Sequence, residues 1–155
     1  MDGFRFDLIP PGPGVLCALS GGADSMYLLC RLLEGREKYG WTVYAAHFNH
    51  GLRPAAQRDE DFVRDWCKRQ GVPLAAGRAD VSVEEGARIL RYRFLSETAE
   101  AEGLSLTATG HHAGDNAETV LMNLIRGCGL NGLTGIPERR GDIVRPMLNV
   151  TRREI

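Results

Sequence analysis

Lysine is nearly missing from this 155-residue sequence: of its 19 basic side chains only Lys38 and Lys68 are lysine, and the other 17 are arginine. Arginine's planar fork suits phosphate and base contacts, but a general compositional bias explains the count equally well. An excess of one charge is also lacking. The net charge of −1 excludes a uniformly basic coat, so any nucleic acid must be met by a local patch. Paired cysteines are absent too: Cys17, Cys30, Cys67 and Cys128 stand apart with no CxxC, which removes zinc-ribbon spacing and a redox motif. Their default is a reduced, mostly buried side chain, and Cys128, inside RGCGLNG, is the one placed to lie near a site. No apolar run approaches the roughly 18 residues of a membrane helix. The start, MDGFRFDLIPPGPG, lacks the basic and apolar regions of a secretory signal. A cytoplasmic protein with no membrane contact is therefore expected.

Several nucleotide and metal signatures are missing as well. There is no GxxxxGK followed by Ser or Thr, no GxGxxG at a strand-to-helix junction, and no HExxH. What remains is ordinary for a globular protein, with 43% hydrophobic and 25% charged residues and length for one domain over 1–155 with its own core.

Hydrophobic period and breakers predict strands near 15–19, 42–48, 73–78, 105–109 and 142–145, with helices near 24–38, 56–70, 82–102 and 114–126. Ser82, with Glu84 and Glu85 behind it, reads as a helix start, while Gly40, Gly71 and Gly103 read as helix stops. Alternating strand and helix predict an α/β fold: a doubly wound, mainly parallel five-stranded sheet with helices on both faces.

The most informative stretch is LSGGADS, Leu19 to Ser25, between an apolar strand and an amphipathic helix. Gly21 and Gly22 let backbone N–H groups approach a ligand, and the helix that follows points unpaired N–H groups at the same spot. Ser20 and Ser25 add hydroxyls. Asp24 would repel a bare phosphate, so it reads as a carboxylate holding Mg²⁺ against phosphate oxygens. A glycine pair alone is as often a tight turn; the flanking Ser and Asp favour a pyrophosphate site. In these residues the chain resembles the PP-loop ATP pyrophosphatases, whose signature is SGGxDS. That family adenylates a carbonyl oxygen with ATP, releases pyrophosphate, and lets a nucleophile displace AMP.

In open parallel sheets ligands lie beyond the carboxyl ends of the strands. SGGADS, NHGLRP and GHHAGDNAET leave such ends, and His47, His50, His111 and His112 all fall there. Asp115, Glu118 and Thr119 are spaced i, i+3, i+4 and share one helix face. Acids there are partly explained by the helix dipole; the site reading makes Asp115 a second Mg²⁺ carboxylate, with Glu118 and Thr119 orienting substrate. Paired histidines suggest zinc, but no third ligand follows at suitable spacing. Asn49 suits a ribose hydroxyl, His50 can donate or stack, and Arg53 suits a phosphate. Arg88 and Arg91 share a helix face beside Tyr92; such a stripe is usually solvated, yet it also suits RNA. The run from Gly127 to Gly141 holds five glycines and reads as a substrate loop before an edge strand.

Together HFNHGLRP, GARILRYRFL, GHHAGDNAETVLMNLIRGCGLNGLTGI and IVRPML resemble the N-terminal domain of the tRNA(Ile)-lysidine synthetases over nearly the whole chain from Val15 onward. The resemblance implies an adenine nucleotide alpha hydrolase-like PP-loop fold. It implies that ATP adenylates the 2-keto oxygen of the wobble cytidine of tRNA(Ile) bearing a CAU anticodon, and that L-lysine then displaces AMP. By carry-over, Ser20, Gly21, Gly22, Ala23 and Ser25 hold pyrophosphate, and Asp24 and Asp115 hold Mg²⁺. Arg88 and His112 join the two aspartates in catalysis, Asn49 and His50 face the nucleotide, and Arg53, Arg91, Glu118, Thr119 and Arg126 face substrate. A homodimer is compatible with this reading. Two departures stand out. The family usually has two adjacent aspartates where this chain has Gly114 and Asp115, and glutamine where it has Asn116. The sequence also stops at TRREI, where a helix is expected to start, so it reads as a catalytic domain without the downstream tRNA-binding regions.

Three rival readings fit parts of the sequence. AxSxG over Ala18 to Gly22 suggests a hydrolase elbow on Ser20, but the elbow needs several strands ahead of it. Thiolation of tRNA by a related PP-loop enzyme typically draws on paired cysteines. A non-catalytic nucleotide or RNA module is the third.

Overall fold

A computed structural model describes residues 3–12, 14–49, 56–78, 84–129 and 133–155. Six strands form one sheet in the order β3-β2-β1-β4-β6-β5. These are β1 (Gly14–Ala18), β2 (Thr42–Asn49), β3 (Leu74–Arg78), β4 (Leu106–Ala108), β5 (Arg139–Arg140) and β6 (Ile143–Val144). All neighbours are parallel except β5 and β6. The sequence predicts five strands; the sixth is β5, two residues folded back on β6 through Gly141, whose φ of +60° suits the reversal. Two residues are too few to show a hydrophobic alternation, so no sequence period announces this strand.

The central strand explains the layering. Val15, Leu16 and Cys17 are fully buried, as expected of a strand covered on both faces. Val15 and Cys17 face α1 (Ala23–Tyr39) and α2 (Ala56–Gln70), joining Leu28, Leu29, Leu32, Val63 and Cys67 in the larger core. Leu16 faces the other way, into a smaller core with Ala46 and Leu95 of α3 (Glu84–Ala101). Helices thus cover both faces, with Gly40, Gly71 and Gly103 in left-handed conformation at the helix stops. The predicted Ser82 cap lies outside the described residues.

The fourth helix, α4 (Ala113–Ile125), lies where the period predicts it, near 114–126. It has no buried residue, and Leu121, Met122, Leu124 and Ile125 are exposed, Ile125 by 80%. It is anchored at its first turn, where the Ala113 N–H donates to the Val150 carbonyl at 3.0 Å. No helix among the described residues is long and apolar enough to cross a membrane.

Before β1, the chain packs Phe4 and Phe6 against Tyr39 and Trp41, and the Trp41 indole N–H donates to the Pro10 carbonyl at 3.0 Å. Trp41 in turn lies over Gly35 of α1, where a Cβ would come within 2.0 Å of the indole. Glycine in a helix interior is normally replaced by alanine with a gain. Here the opposite is expected: Gly35→Ala displaces Trp41 and destabilises by about 1–3 kcal/mol, read as a lower Tm and a shifted tryptophan emission.

Candidate active site

Connections run from β1 to β2 and β3 on one side and to β4 and β6 on the other, so the order reverses between β1 and β4. That gap is where open α/β sheets hold ligands. A crevice of about 1640 Å³ opens there, walled by Ser20, Asp24 and Ser25, by the ends of β2 and β4, and by α3.

The loop Ser20–Ser25 is laced from within. The Ser25 hydroxyl donates to the Gly22 carbonyl at 3.0 Å, and accepts from the Ser20 N–H at 3.1 Å. Its proton so committed, Ser25 Oγ accepts from the Ser20 hydroxyl at 3.1 Å. Gly21 has φ +90°, and Gly22 is the N-cap of α1 with no side chain capping it, which leaves the first N–H groups of α1 for a ligand. From β2, the His47 ring Nδ1 lies 2.8 Å from the Leu19 carbonyl; the oxygen can only accept, so Nδ1 carries the proton and braces the loop's entry. From β4, Gly110 passes so close that a Cβ there would meet the Asp24 carbonyl at 3.3 Å. The loop is therefore held from three strands.

The two adjacent histidines have different employments. His112 is the N-cap of α4: its Nδ1 accepts from the Gly114 N–H at 2.9 Å, while Asp115 accepts from the His112 N–H at 2.8 Å. A Cβ at residue 114 would fall 2.6 Å from the His112 ring, so glycine is what lets the imidazole fold onto the helix end. His112 thus closes the capping box of α4, and His111 is the histidine of the pair that lines the crevice. His111 bonds Thr109 at 3.0 Å. Burial, and then the Arg145 guanidinium, push its pKa below the usual histidine range, with Arg91 and Arg88 acting the same way against Asp115. Arg145 is itself buried, with one guanidinium N–H donating to the Pro137 carbonyl at 2.7 Å.

Arg88 and Arg91 both line the crevice, their guanidinium carbons 5.7 and 5.4 Å from the Tyr92 ring centre. Arg140 of β5 joins this wall. Asn49 lines the crevice too, but its amide donates to Glu60 at 3.0 Å, and that bond, with Arg64, holds the Glu60 carboxyl below its ordinary range. Asn116 accepts from the Ile136 N–H at 2.7 Å and so fixes the turn at Gly135, a structural use for the residue that departs from the family pattern.

The placements sort the predicted residues. Ser20, Asp24, Ser25, Asn49, Arg88, Arg91 and Asp115 converge on the crevice, with Gly21, Gly22 and Ala23 completing its loop. Glu118 and Arg126 are exposed farther along α4, and Thr119 bonds back to the Asp115 carbonyl at 2.9 Å. These three are not among the crevice walls, because α4 leaves the sheet after its first turn. Cys128, after α4, is likewise absent from them. His50 and Arg53 lie outside the described residues. Arg140 and His111 also line the crevice without a signal in the sequence: the first sits on the strand without a period, and the second is distinguished from its neighbour only by the capping box. Among the described residues no three His, Cys, Asp or Glu side chains cluster as a ready metal cage. Asp24 and Asp115 on one crevice still fit Mg²⁺, which needs only one or two carboxylates when phosphate oxygens supply further ligands.

The chain belongs to the PP-loop family: the PP-loop domain matches residues 9–155. Proteins named tRNA(Ile)-lysidine synthase are similar to it across nearly all its length. That of Chlorobaculum tepidum is 45% identical over 97% of this chain and 49% of its own, and that of Pseudothermotoga lettingae 43% identical over 96% and 35%. The Porphyromonas gingivalis relative is 44% identical over 91% of this chain and 33% of its own. The chain thus spans about a third to a half of these relatives. In fold it is similar to the U34-tRNA thiolase NcsA of Methanococcus maripaludis, with a TM-score of 0.79 at 19% identity over 98% of this chain and 57% of that one.

Gly21→Ala tests the loop directly. The positive φ and a Cβ 3.3 Å from Val63 force the backbone to shift. ATP affinity should fall about ten-fold or more, the scale of one lost charge-assisted amide–phosphate bond. Gly129→Ala, which enters open space, should bind as the unaltered chain does in the same calorimetric titration.

Proposed function

We propose that this chain is the adenylating domain of a tRNA(Ile)-lysidine synthetase, working in the cytoplasm on ATP, L-lysine and the CAU-anticodon tRNA(Ile). The observation that carries the reading is the crevice's division into two poles. On one side stand main-chain amides with Asp24; on the other stand Arg88, Arg91 and Arg140 with Tyr92. A diphosphate tail suits the first, and a nucleobase with its backbone phosphate suits the second. The names of the most similar relatives support the same assignment.

In this mechanism the Ser20–Ser25 loop binds the β- and γ-phosphates and holds the α-phosphorus between the poles. The cytidine 2-keto oxygen attacks that phosphorus, the bond to the bridging oxygen breaks, and pyrophosphate leaves into the amide cradle, where its charge is already matched. Arg88 and Arg91 orient the cytidine and offset charge at the α-phosphoryl group. Neutral His111 is suited to accept a proton as the lysine amine displaces AMP. Asp24 and Asp115 are the residues that would hold Mg²⁺, which would supply charge neutralisation for the phosphates. Glu118, Thr119 and Arg126, farther along α4, would meet parts of the tRNA beyond the crevice.

Thiolation is the second reading, since the thiolase shares the fold. Burial raises the Cys17 and Cys67 thiol pKa values, which suits core packing better than sulfur transfer. The deciding assay is pyrophosphate release by this chain with ATP, Mg²⁺ and tRNA(Ile), with and without lysine. Release that needs the tRNA, followed by lysine-dependent AMP formation, is expected. ATP binding without release would leave a non-catalytic module, and a requirement for a sulfur donor would favour thiolation.

A further inference from the structure

The Asp24 carboxylate has a partner from the far end of the chain: Arg152 donates to it from the turn that follows β6, 128 residues away. That turn is secured independently of the pair. Thr151 donates from both its N–H and its hydroxyl to Glu154, at 2.7 and 2.6 Å. Just before it, the Val150 carbonyl accepts from the Ala113 N–H at 3.0 Å, which ties the segment to the start of α4. Arg152 is thus delivered to the mouth of the loop by a braced element.

Asp24 sits in the first turn of α1, beside the N–H groups left uncapped behind Gly22. A guanidinium bonded to that carboxylate is within one side-chain swing of any phosphate those amides hold. The pair is also easily exchanged. Its side chains are 63% and 37% exposed, and an ion pair so solvated adds little to stability. A phosphate offers the same planar fork two oxygens and more charge. Any cation brought in with a nucleotide would compete for Asp24 and free the arginine beside the incoming anion.

We propose that Arg152 is a polyphosphate-binding residue, parked on Asp24 while the cradle is empty and transferred to the diphosphate tail when it fills. This rests on the nucleotide reading of the crevice and adds to it a ligand-contacting residue from outside every motif of the loop. It also gives the segment after β6 a part in sensing occupancy.

Calorimetric titration of the whole chain with inorganic pyrophosphate, and separately with AMP, tests it. Arg152→Gln should weaken pyrophosphate about ten-fold, the scale of one charge-assisted pair, while AMP, which lacks the diphosphate, changes less than about two-fold. Arg152→Lys should fall between, because it keeps the charge and loses the fork. Equal or tighter pyrophosphate binding by Arg152→Gln overturns the proposal and leaves the nucleotide reading intact. Failure of the unaltered chain to bind pyrophosphate at all overturns both.

Discussion

Close approach of bare backbone at the carboxyl ends of β1 and β4 is the constraint on which the rest of this molecule depends. A phosphate can be held by main-chain amides only where no side chain intervenes and where those amides lack other partners. Gly21 takes a backbone angle that other residues resist, Gly22 leaves the end of α1 uncapped, and Gly110 lets β4 press against Asp24. Ser20 and Ser25 then lock the loop: their hydroxyls bond each other and accept from the Gly22 and Ser20 N–H groups, while the amides of Ala23 to Ser25 have no side-chain cap. Preorganisation of this kind matters because a cradle already in place need not be assembled as charge develops on a leaving pyrophosphate.

Opposite the cradle stands a second concentration of positive charge. Burial of His111, and then the charges of Arg145, Arg91 and Arg88, hold its pKa below the usual histidine range. The protein's overall charge of −1 conceals this, since acids elsewhere balance a strongly local basic wall. Arginine's abundance, uninformative as a composition, becomes informative once three of those side chains share one crevice wall.

How much of this was legible from the residues differs from element to element. The parallel sheet was readable because buried central strands and glycine-stopped helices leave strong periodic signals, and SGGADS announced its loop through residue types with few other uses together. α4 was legible as a helix but its exposure was not, because hydrophobic period reports that a face is apolar, not that anything covers it; Ile125 remains 80% exposed. The two histidines are not separable in the sequence, because a ring nitrogen can cap a helix as well as face a ligand, and the Gly114 contact that gives His112 the capping role appears only in the structure. Arg152 left no trace, since its pairing with Asp24 spans nearly the whole chain and follows no local spacing.

The central claim is that the amides at the start of α1 bind the diphosphate tail of ATP. A crystal structure of this chain with a non-hydrolysable ATP analogue and Mg²⁺ tests it most directly. The β- and γ-phosphates should lie within hydrogen-bond distance of the N–H groups between Gly22 and Ser25, with the base toward β2. Nucleotide bound elsewhere, with that cradle empty, would contradict the account.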